Sequence, residues 1–559
     1  MKIIEGLPPK LSGKQTVAID LEMFNLKREQ LHRPYGELAC AQFCFDGETV
    51  YIVKTPQDLE RAIKRVRNAR IVFHGSGFDV PHIRRWAELP EPPVEAFWDT
   101  LYMERLLWSG YYDDFGLADL ARRYLQEFLP KDTRQEFISG SQLTNKMIRY
   151  AAKDAWATWH IQRLQEELCE QEPTALNVWE EIDAPAFWAI QDMNGMMLDV
   201  DAWKSLDQVA WDTYYEMEEN LGFNPNSPPQ TRAALAKIGL HVQSTAEKVI
   251  GPYQDKYPLV KEVLDAREQR KLAGTYGANW ADRFVEEDGR VHFYYNVTGA
   301  VTGRMASDSP NGQNIPHDGR YRSCFVSPRG SRIVVQDISV QEPRITAQAT
   351  QDPVLLRELE LGLDLHWETA KAVFPHLIKD PNKVDKELRR QAKIVRLGLA
   401  YGQTAYGLSH SAHISEEEAE RRIRAFFDHY QGTGAWMERE RYKVRFSERI
   451  EDLSGRFMRA NNWSRQSENH AVNFPIQATA ASMLKLAAVN LHREFPGEEF
   501  PLVGMIHDEF VAEVRTKDAR RVSRHMKAAI EKAFTRFCPD VTTKNLVEER
   551  IGTNWGVKG

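Results

Sequence analysis

In Arg389-Arg390-Gln391-Ala392-Lys393-Ile394-Val395-Arg396-Leu397-Gly398-Leu399-Ala400-Tyr401-Gly402, four side chains recur at every fourth position: Arg389, Lys393, Leu397 and Tyr401. On an α-helix each four-residue step turns about 400°, so these side chains drift slowly around the axis and share one face. That face reads cation, cation, apolar, aromatic. A triphosphate takes two cations, a flat base lies against an apolar surface, and Gly398 and Gly402 admit a close neighbour. The stretch predicts a nucleoside-triphosphate-binding helix. A lone helix of this kind is more often an amphipathic surface helix, so the rest of the chain decides.

Two carboxylates stand in apolar surroundings. Asp337 follows Ile333-Val334-Val335 and precedes Ile338, at the end or middle of a buried strand, where a carboxylate is costly without a compensating ion. The run Leu502–Ala512 places apolar arms around His507-Asp508-Glu509, the pattern of a β-hairpin presenting Asp508. Hard oxygen donors of this type suit Mg²⁺, which also takes ligands from substrate phosphates. Two such metals about 4 Å apart activate a hydroxyl nucleophile and stabilise a pyrophosphate leaving group. Asp337 and Asp508 are the candidate ligands. An Asp in a tight turn is common, so neither is decisive alone.

These pieces fall in an order that resembles the family A DNA polymerases. The ladder matches their RxxxKxxxFxxxYG pattern. Before it come Thr302-Gly303-Arg304, Pro310-Asn311-Gly312-Gln313-Asn314-Ile315-Pro316 and Asp337-Ile338-Ser339-Val340-Gln341-Glu342-Pro343-Arg344, resembling TGR, PNLQNIP and DYSQIELR. After it come Asn473-Phe474-Pro475-Ile476-Gln477, His507-Asp508-Glu509 and Ile551-Gly552-Thr553-Asn554-Trp555. Six short words in the right order across about 250 residues exceed chance.

The resemblance implies roles position by position. Asp337, Asp508 and the backbone carbonyl of Ile338 would hold two Mg²⁺ ions, with Mn²⁺ an alternative, and Glu509 would join the catalytic group. Arg389, Lys393 and His366 would hold the triphosphate, Leu397 would face the base, and Glu342 with Tyr401 would crowd out a ribose 2′-hydroxyl. Arg304, Asn311, Gln313, Asn314, Arg344, Asn473, Gln477 and His507 would touch primer or template, and Arg267 with Lys271 would form a basic pair in the thumb. Such minor-groove and phosphate contacts are largely independent of sequence. Several positions depart from the pattern: Leu397 for the stacking aromatic, Ile338 for Tyr, Val340 for Gln, Pro343 for Leu, Ala478 for Gly and Met505 for Gln. None removes a metal ligand. Leu397 offers the base a smaller, non-planar surface, which implies slower incorporation or altered discrimination among analogues.

The amino-terminal part carries a second constellation. In Val17-Ala18-Ile19-Asp20-Leu21-Glu22 the two acids, two residues apart on a strand, project to one face. Asp79 follows the strand and glycine turn of Ile71–Gly77, and Tyr150 and Asp154 lie four apart on a helix. Four carboxylates and a tyrosine make a two-metal hydrolytic site with a water oriented by Tyr150. The set resembles the DEDD-type 3′-to-5′ exonuclease with a catalytic tyrosine that family A polymerases share with ribonuclease D. Gly75 stands where that family commonly has Asn.

The expected fold is therefore multidomain, α/β and α+β. A ribonuclease H-like exonuclease (1–170) and a bridge (171–200) lead into a right-hand polymerase. Its thumb is 201–285, its palm 286–360 and 441–559, and its fingers 361–440. A length of 559 residues predicts three to four domains. With no apolar run of eighteen and no basic-then-apolar leader, neither a membrane-spanning nor a secreted chain is expected. A net charge of −7 runs against what a nucleic-acid binder needs. Local clusters such as Lys383, Lys386, Arg389, Arg390, Lys393 and Arg396 set the field at the proposed nucleotide entrance instead. Arg61–Arg67 reads as a solvated helix face. Five cysteines without zinc spacing read as packing in a reducing cytoplasm.

The expected partners are primer-template DNA and deoxynucleoside triphosphates, with a helicase and a single-strand-binding protein as further candidates, for a monomer. The compact arrangement points to phage replication in a bacterial host cell. The competing readings are a repair or lesion-bypass polymerase, which Leu397 keeps open, and a ribonuclease D-like nuclease with a DNA-gripping body.

Overall fold

The computed structural model describes residues 1–13, 15–26, 35–130, 133–139, 142–316, 319–447, 449–459 and 465–557. Its amino-terminal part is built on a six-stranded mixed sheet. The strands are β1 (Lys2–Glu5), β2 (Thr16–Phe24), β3 (Glu37–Cys44), β4 (Thr49–Val53), β5 (Arg70–Phe73) and β6 (Phe97–Asp99), in the order β1-β4-β3-β2-β5-β6. β2 runs antiparallel to β3 and parallel to β5, and β5 is parallel to β6. Val17-Ala18-Ile19 and Ile71-Val72-Phe73 are all buried, which is why they appear in the sequence as continuous apolar runs.

Helices α1 (Pro56–Val66), α2 (Ser76–Arg84), α3 (Thr100–Trp108) and α4 (Asn145–Gln171) accompany this sheet. α1 opens at Thr55, whose side chain accepts the Asp58 N–H, and buries Leu59, Ala62, Ile63 and Val66. Its outer cations pair locally, Arg61 with Asp58 at 3.3 Å and Lys64 with Glu60 at 2.5 Å, the solvated face expected of it. One detail of the sheet places a site. The β2–β5 ladder ends at Ala18 opposite Val72, so Ile19–Phe24 is paired only with β3 and its other edge is open to side chains from the helices.

Farther along the chain, α5 (Val200–Leu221) and α6 (Pro258–Tyr276) pack against each other. A four-stranded antiparallel sheet follows, built from β7 (Ser331–Ile338), β8 (Leu502–Ile506), β9 (Glu509–Arg515) and β10 (Val547–Gly552), in the order β8-β9-β7-β10. Between β7 and β8 the chain runs through α7 (Gln341–Thr350), α8 (Leu365–Val373), α9 (Lys386–Ala400) and α10 (Arg465–Glu494); α11 (Ala519–Phe537) lies between β9 and β10. The alternation of β7 is clean. Ile333 and Val335 join one core with Trp203, Phe325 and Trp555, and Val334 and Ile338 join the other with α10 and α11. Asp337 continues the first series at the strand end. All five cysteines are buried and free, Cys40 and Cys44 within β3. No helix among the described residues is long and apolar enough to cross a membrane.

Candidate active sites

On the open edge of β2, Asp20, Glu22 and Asp154 of α4 each offer an oxygen within 4.8 Å of the others. Three carboxylates at that spacing repel one another unless a divalent cation sits among them, and hard oxygen donors are what Mg²⁺ or Mn²⁺ takes. Asp79 stands beside the trio rather than in it. Leu21, lacking a β5 partner, donates its N–H to Asp79 Oδ1 at 3.0 Å. Burial holds the Asp79 carboxyl well above the usual carboxylate range, against the Leu21 bond, with Asp99 adding to the rise. Tyr150, one turn before Asp154, has its hydroxyl raised by burial and then by Asp154, Glu22 and Asp20. It therefore stays protonated and serves as a donor.

Gly75 has φ +83°. Glycine adopts this left-handed conformation without the strain a Cβ would bring. Gly75 and Ser76 donate their N–H groups to the buried Asp99, which also caps α3 by accepting from Leu101 and Tyr102. Asp99 thus ties the turn that carries Asp79 to the start of α3.

The second site forms where β7 ends against the β8–β9 turn. Ile338 N–H donates to Asp508 O at 3.1 Å, and His507 takes φ +55° to make the turn. Asp337 and Asp508 line one cleft with Arg304, Gln313, Glu342, His366, Leu397, Tyr401 and His507. Burial pushes the Asp337 carboxyl up to about 6, helped by Glu509, Asp508 and Glu548 and opposed by Arg550. Asp508 is raised as well, chiefly by burial, with Arg304 opposing. Two crowded carboxyls that resist ionisation without a counter-charge fit a divalent cation.

Glu509 departs from the expectation. It belongs to β9 rather than to the hairpin tip. Its carboxylate is taken by Arg550 at 2.8 Å, by Arg322 at 3.4 Å and by the Trp555 indole N–H. A carboxylate so neutralised is a framework group.

Helix α9 presents the anticipated face. Lys393, Leu397 (40% exposed) and Tyr401 (42% exposed) are open, Arg389 is half-buried, and Ala392, Val395 and Leu399 are buried. Arg389 Nε lies 2.5 Å from Asp364 Oδ2, and Asp364 also caps α8. Burial, with Arg396 and Arg389, lowers His366 to about 4, so its imidazole is neutral near pH 7. Arg396 is not part of the entrance cluster. It is buried, donates to Thr369 Oγ1 at 3.1 Å and lies over the Tyr430 ring. The Tyr401 hydroxyl donates to Glu342 Oε2 at 3.1 Å, and Arg304 Nη2 donates to Glu342 Oε1 at 2.6 Å.

The expected primer and template contacts divide. Arg304, Gln313 and His507 line the cleft. Asn473 donates to Tyr401 O at 3.2 Å, and with Gln477 it lines the cavity behind α9. Asn311 caps the short turn at Gly312–Asn314 by accepting the Gln313 N–H, and Asn314 is exposed. Arg344 and Arg267 are turned inward. Arg344 is buried on the carbonyls of Ser339, Thr542 and Lys544, and Arg267 donates to the carbonyls of Pro225 and Thr245. Both hold loops together. Lys271 is exposed.

Residues 201–557 match DNA polymerase family A, and residues 4–168 match the 3′-5′ exonuclease family. The chain is 30% identical to DNA polymerase I of Chloroflexus aurantiacus over 79% of its length and 50% of that protein's. It is 30% identical to DNA polymerase I of Pseudomonas aeruginosa over 98% and 64%, and 29% identical to that of Aquifex aeolicus over 91% and 92%. It thus spans half to two thirds of the first two relatives and most of the third. A solved structure described as the POL domain of Pol1 from M. smegmatis in complex with DNA primer-template and dNTP shares the fold. Its TM-score is 0.83 at 23% identity, over 99% of both chains.

Proposed function

Because the chain belongs to DNA polymerase family A, we propose that it extends a primer 3′ end on a DNA template with deoxynucleoside triphosphates, and trims that end at a separate exonuclease site. The observation that carries this reading is one cleft shared by Asp337, Asp508, the Glu342–Tyr401 pair, His366 and Leu397 of the α9 face. In this reading 1–170 is the exonuclease, 171–200 the bridge, 201–285 the thumb, 361–440 the fingers, and 286–360 with 441–559 the palm.

Each residue has a distinct task. Arg389 and Lys393 bind the triphosphate, so Arg389 exchanges Asp364 for phosphate when substrate enters. His366, neutral near pH 7, contributes a hydrogen bond rather than a charge. Glu342 and Tyr401, joined by their hydrogen bond, close the space that a 2′-hydroxyl would need. Leu397 lies against the base. Asp337 and Asp508 would hold a divalent metal, which would supply positive charge for the transferred phosphoryl group and the leaving pyrophosphate. At the other site Asp20, Glu22 and Asp154 hold metal, Asp79 braces Leu21, and the Tyr150 hydroxyl orients the attacking water.

A primer-template assay with Mg²⁺, with and without deoxynucleotides, tests both halves. Asp508→Ala is expected to lose extension alone, and Asp20→Ala/Glu22→Ala to lose shortening alone. A wild type that shortens primers but never extends them leaves a nuclease with a DNA-gripping body. Leu397, in place of the stacking aromatic, keeps open one second reading, a repair or lesion-bypass polymerase. That reading predicts synthesis past an abasic site by an exonuclease-dead variant. The narrower setting of phage replication, with helicase and single-strand-binding protein as partners, draws no support from the relatives named above, which are bacterial. Restored growth of a polymerase-deleted phage by this gene is its test.

A further inference from the structure

Gln42 is an anomaly in an apolar strand. In Leu38-Ala39-Cys40-Ala41-Gln42-Phe43-Cys44 it is the one carboxamide, and it is 0% exposed. A buried amide is costly unless its donors and acceptor are met. The register shows what meets them. Gln42 stands directly opposite Asp20, and Cys40 directly opposite Glu22. Opposed residues of an antiparallel pair share a face, so both lie on the face that carries two of the clustered carboxylates. With its amide nitrogen toward β2, Gln42 donates to Asp20 Oδ2 at 2.8 Å and to the Asp20 carbonyl at 2.5 Å. The other end of the amide lies 3.0 Å from Cys40 Sγ, where its oxygen accepts the thiol proton. This orientation gives every contact one donor and one acceptor.

We propose that Gln42 is a positioning residue of the exonuclease reaction, fixing one oxygen of Asp20 so that the carboxylate is presented to the cation shared with Glu22 and Asp154. Cys40 supports the amide from behind. Outer partners of this kind orient metal ligands, and their loss typically costs about 10–100-fold in metal affinity. The proposal rests on reading the trio as a divalent-metal site.

The test uses the full chain carrying Asp337→Asn/Asp508→Asn, so that the remaining high-affinity Mn²⁺ belongs to the amino-terminal site, with binding followed by electron paramagnetic resonance in the absence of DNA. Gln42→Met, which keeps the volume and removes both donors, is expected to raise the Mn²⁺ dissociation constant by about 10–100-fold. In the chain with its palm aspartates intact, the same change should raise half-saturating Mg²⁺ for primer shortening in proportion. Shortening at saturating Mg²⁺ then stays near the wild-type rate and extension is unchanged. A dissociation constant within twofold of the parent's, or shortening lost at every Mg²⁺ concentration with Mn²⁺ binding intact, overturns the proposal. Should Gln42→Met unfold the amino-terminal sheet, Cys40→Ala replaces it and must raise the constant at least threefold; an unchanged value overturns the proposal equally. A parent that binds no Mn²⁺ at this site would instead remove the nuclease reading itself.

Discussion

Glu509 stands directly across the β7–β9 pair from Asp337, on the same face of the sheet, but its charge is spent on Arg550, Arg322 and the indole of Trp555. Two acids that the sequence sets beside the same turn, Asp508 and Glu509, therefore do different work. Asp508 faces the cleft. Glu509 anchors the closing segment of the chain beneath it.

Glu509→Gln is accordingly expected to behave as a stability variant. It leaves two partly buried guanidinium groups without their carboxylate, at a cost of about 2–3 kcal/mol, read as a lowered urea midpoint. Extension should remain measurable under stabilising conditions, whereas Asp337→Asn and Asp508→Asn should abolish it without lowering the midpoint. Equal loss of extension in all three would return Glu509 to the catalytic group.

Asp337 gives a pH dependence whose sign can be worked out. Its carboxyl moves from 3.8 to about 6 on folding, so the folded chain holds this proton more tightly than the unfolded one. The associated stability is complete below 3.8 and lost as pH rises through about 6. In metal-free protein, Asp337→Asn should melt above the wild type near pH 7, and the gap should close as pH falls through about 6 toward 4. Scanning calorimetry in chelator checks this. A gap of constant size across that window counts against it.

Val340 occupies φ +46°, ψ +45° just before α7, with no side-chain cap. A β-branched residue in the left-handed region is strained, and such strain costs on the order of 1–3 kcal/mol. Asn tolerates the conformation and can cap the helix. Val340→Asn should raise stability by about 1–2 kcal/mol, measured by urea unfolding.

How much of this was legible beforehand depends on the distance over which each feature is decided. The α9 face, the β2 acids and the β8–β9 turn follow from periodicity within a dozen residues, and they appear where expected. Arg396 misled because a cation near the ladder's axis carries no mark of which way it faces; the Tyr430 ring that receives it lies at a later junction between two helices. Arg344 and Glu509 misled for the same reason at greater range, since their partners sit near the carboxy terminus. Gln42 did leave a signal, a single carboxamide in an apolar strand, but its meaning needed the β2–β3 register.

Tyr150 provides a test that separates the proposed orientation of water from metal binding. Its raised hydroxyl remains protonated across ordinary assay pH, so it donates a hydrogen bond and does not act as a base. Tyr150→Phe should slow primer shortening by about 10²-fold while Mn²⁺ binding to Asp20, Glu22 and Asp154 is unchanged. Weaker metal binding in that variant would make the tyrosine a support of the carboxylates instead.

The Glu342–Tyr401 pair, proposed above to exclude a ribose 2′-hydroxyl, offers the sharpest contrast at the cleft of Asp337 and Asp508. Glu342 is held from both sides, by Arg304 at 2.6 Å and by the Tyr401 hydroxyl at 3.1 Å, so its carboxylate cannot swing away to admit a 2′-hydroxyl without breaking two hydrogen bonds. Glu342→Ala removes the carboxylate and both bonds, and should raise ribonucleotide relative to deoxyribonucleotide incorporation by about 10-fold or more, corresponding to ~1.4 kcal/mol or more of lost discrimination. Tyr401→Phe keeps the ring and the Arg304 bond, so its shift should be smaller. Single-nucleotide incorporation kinetics with matched ribo- and deoxyribonucleoside triphosphates distinguish the two. If the phenylalanine variant relaxes discrimination as much as the alanine variant, the hydrogen bond rather than the bulk of Glu342 sets the gate.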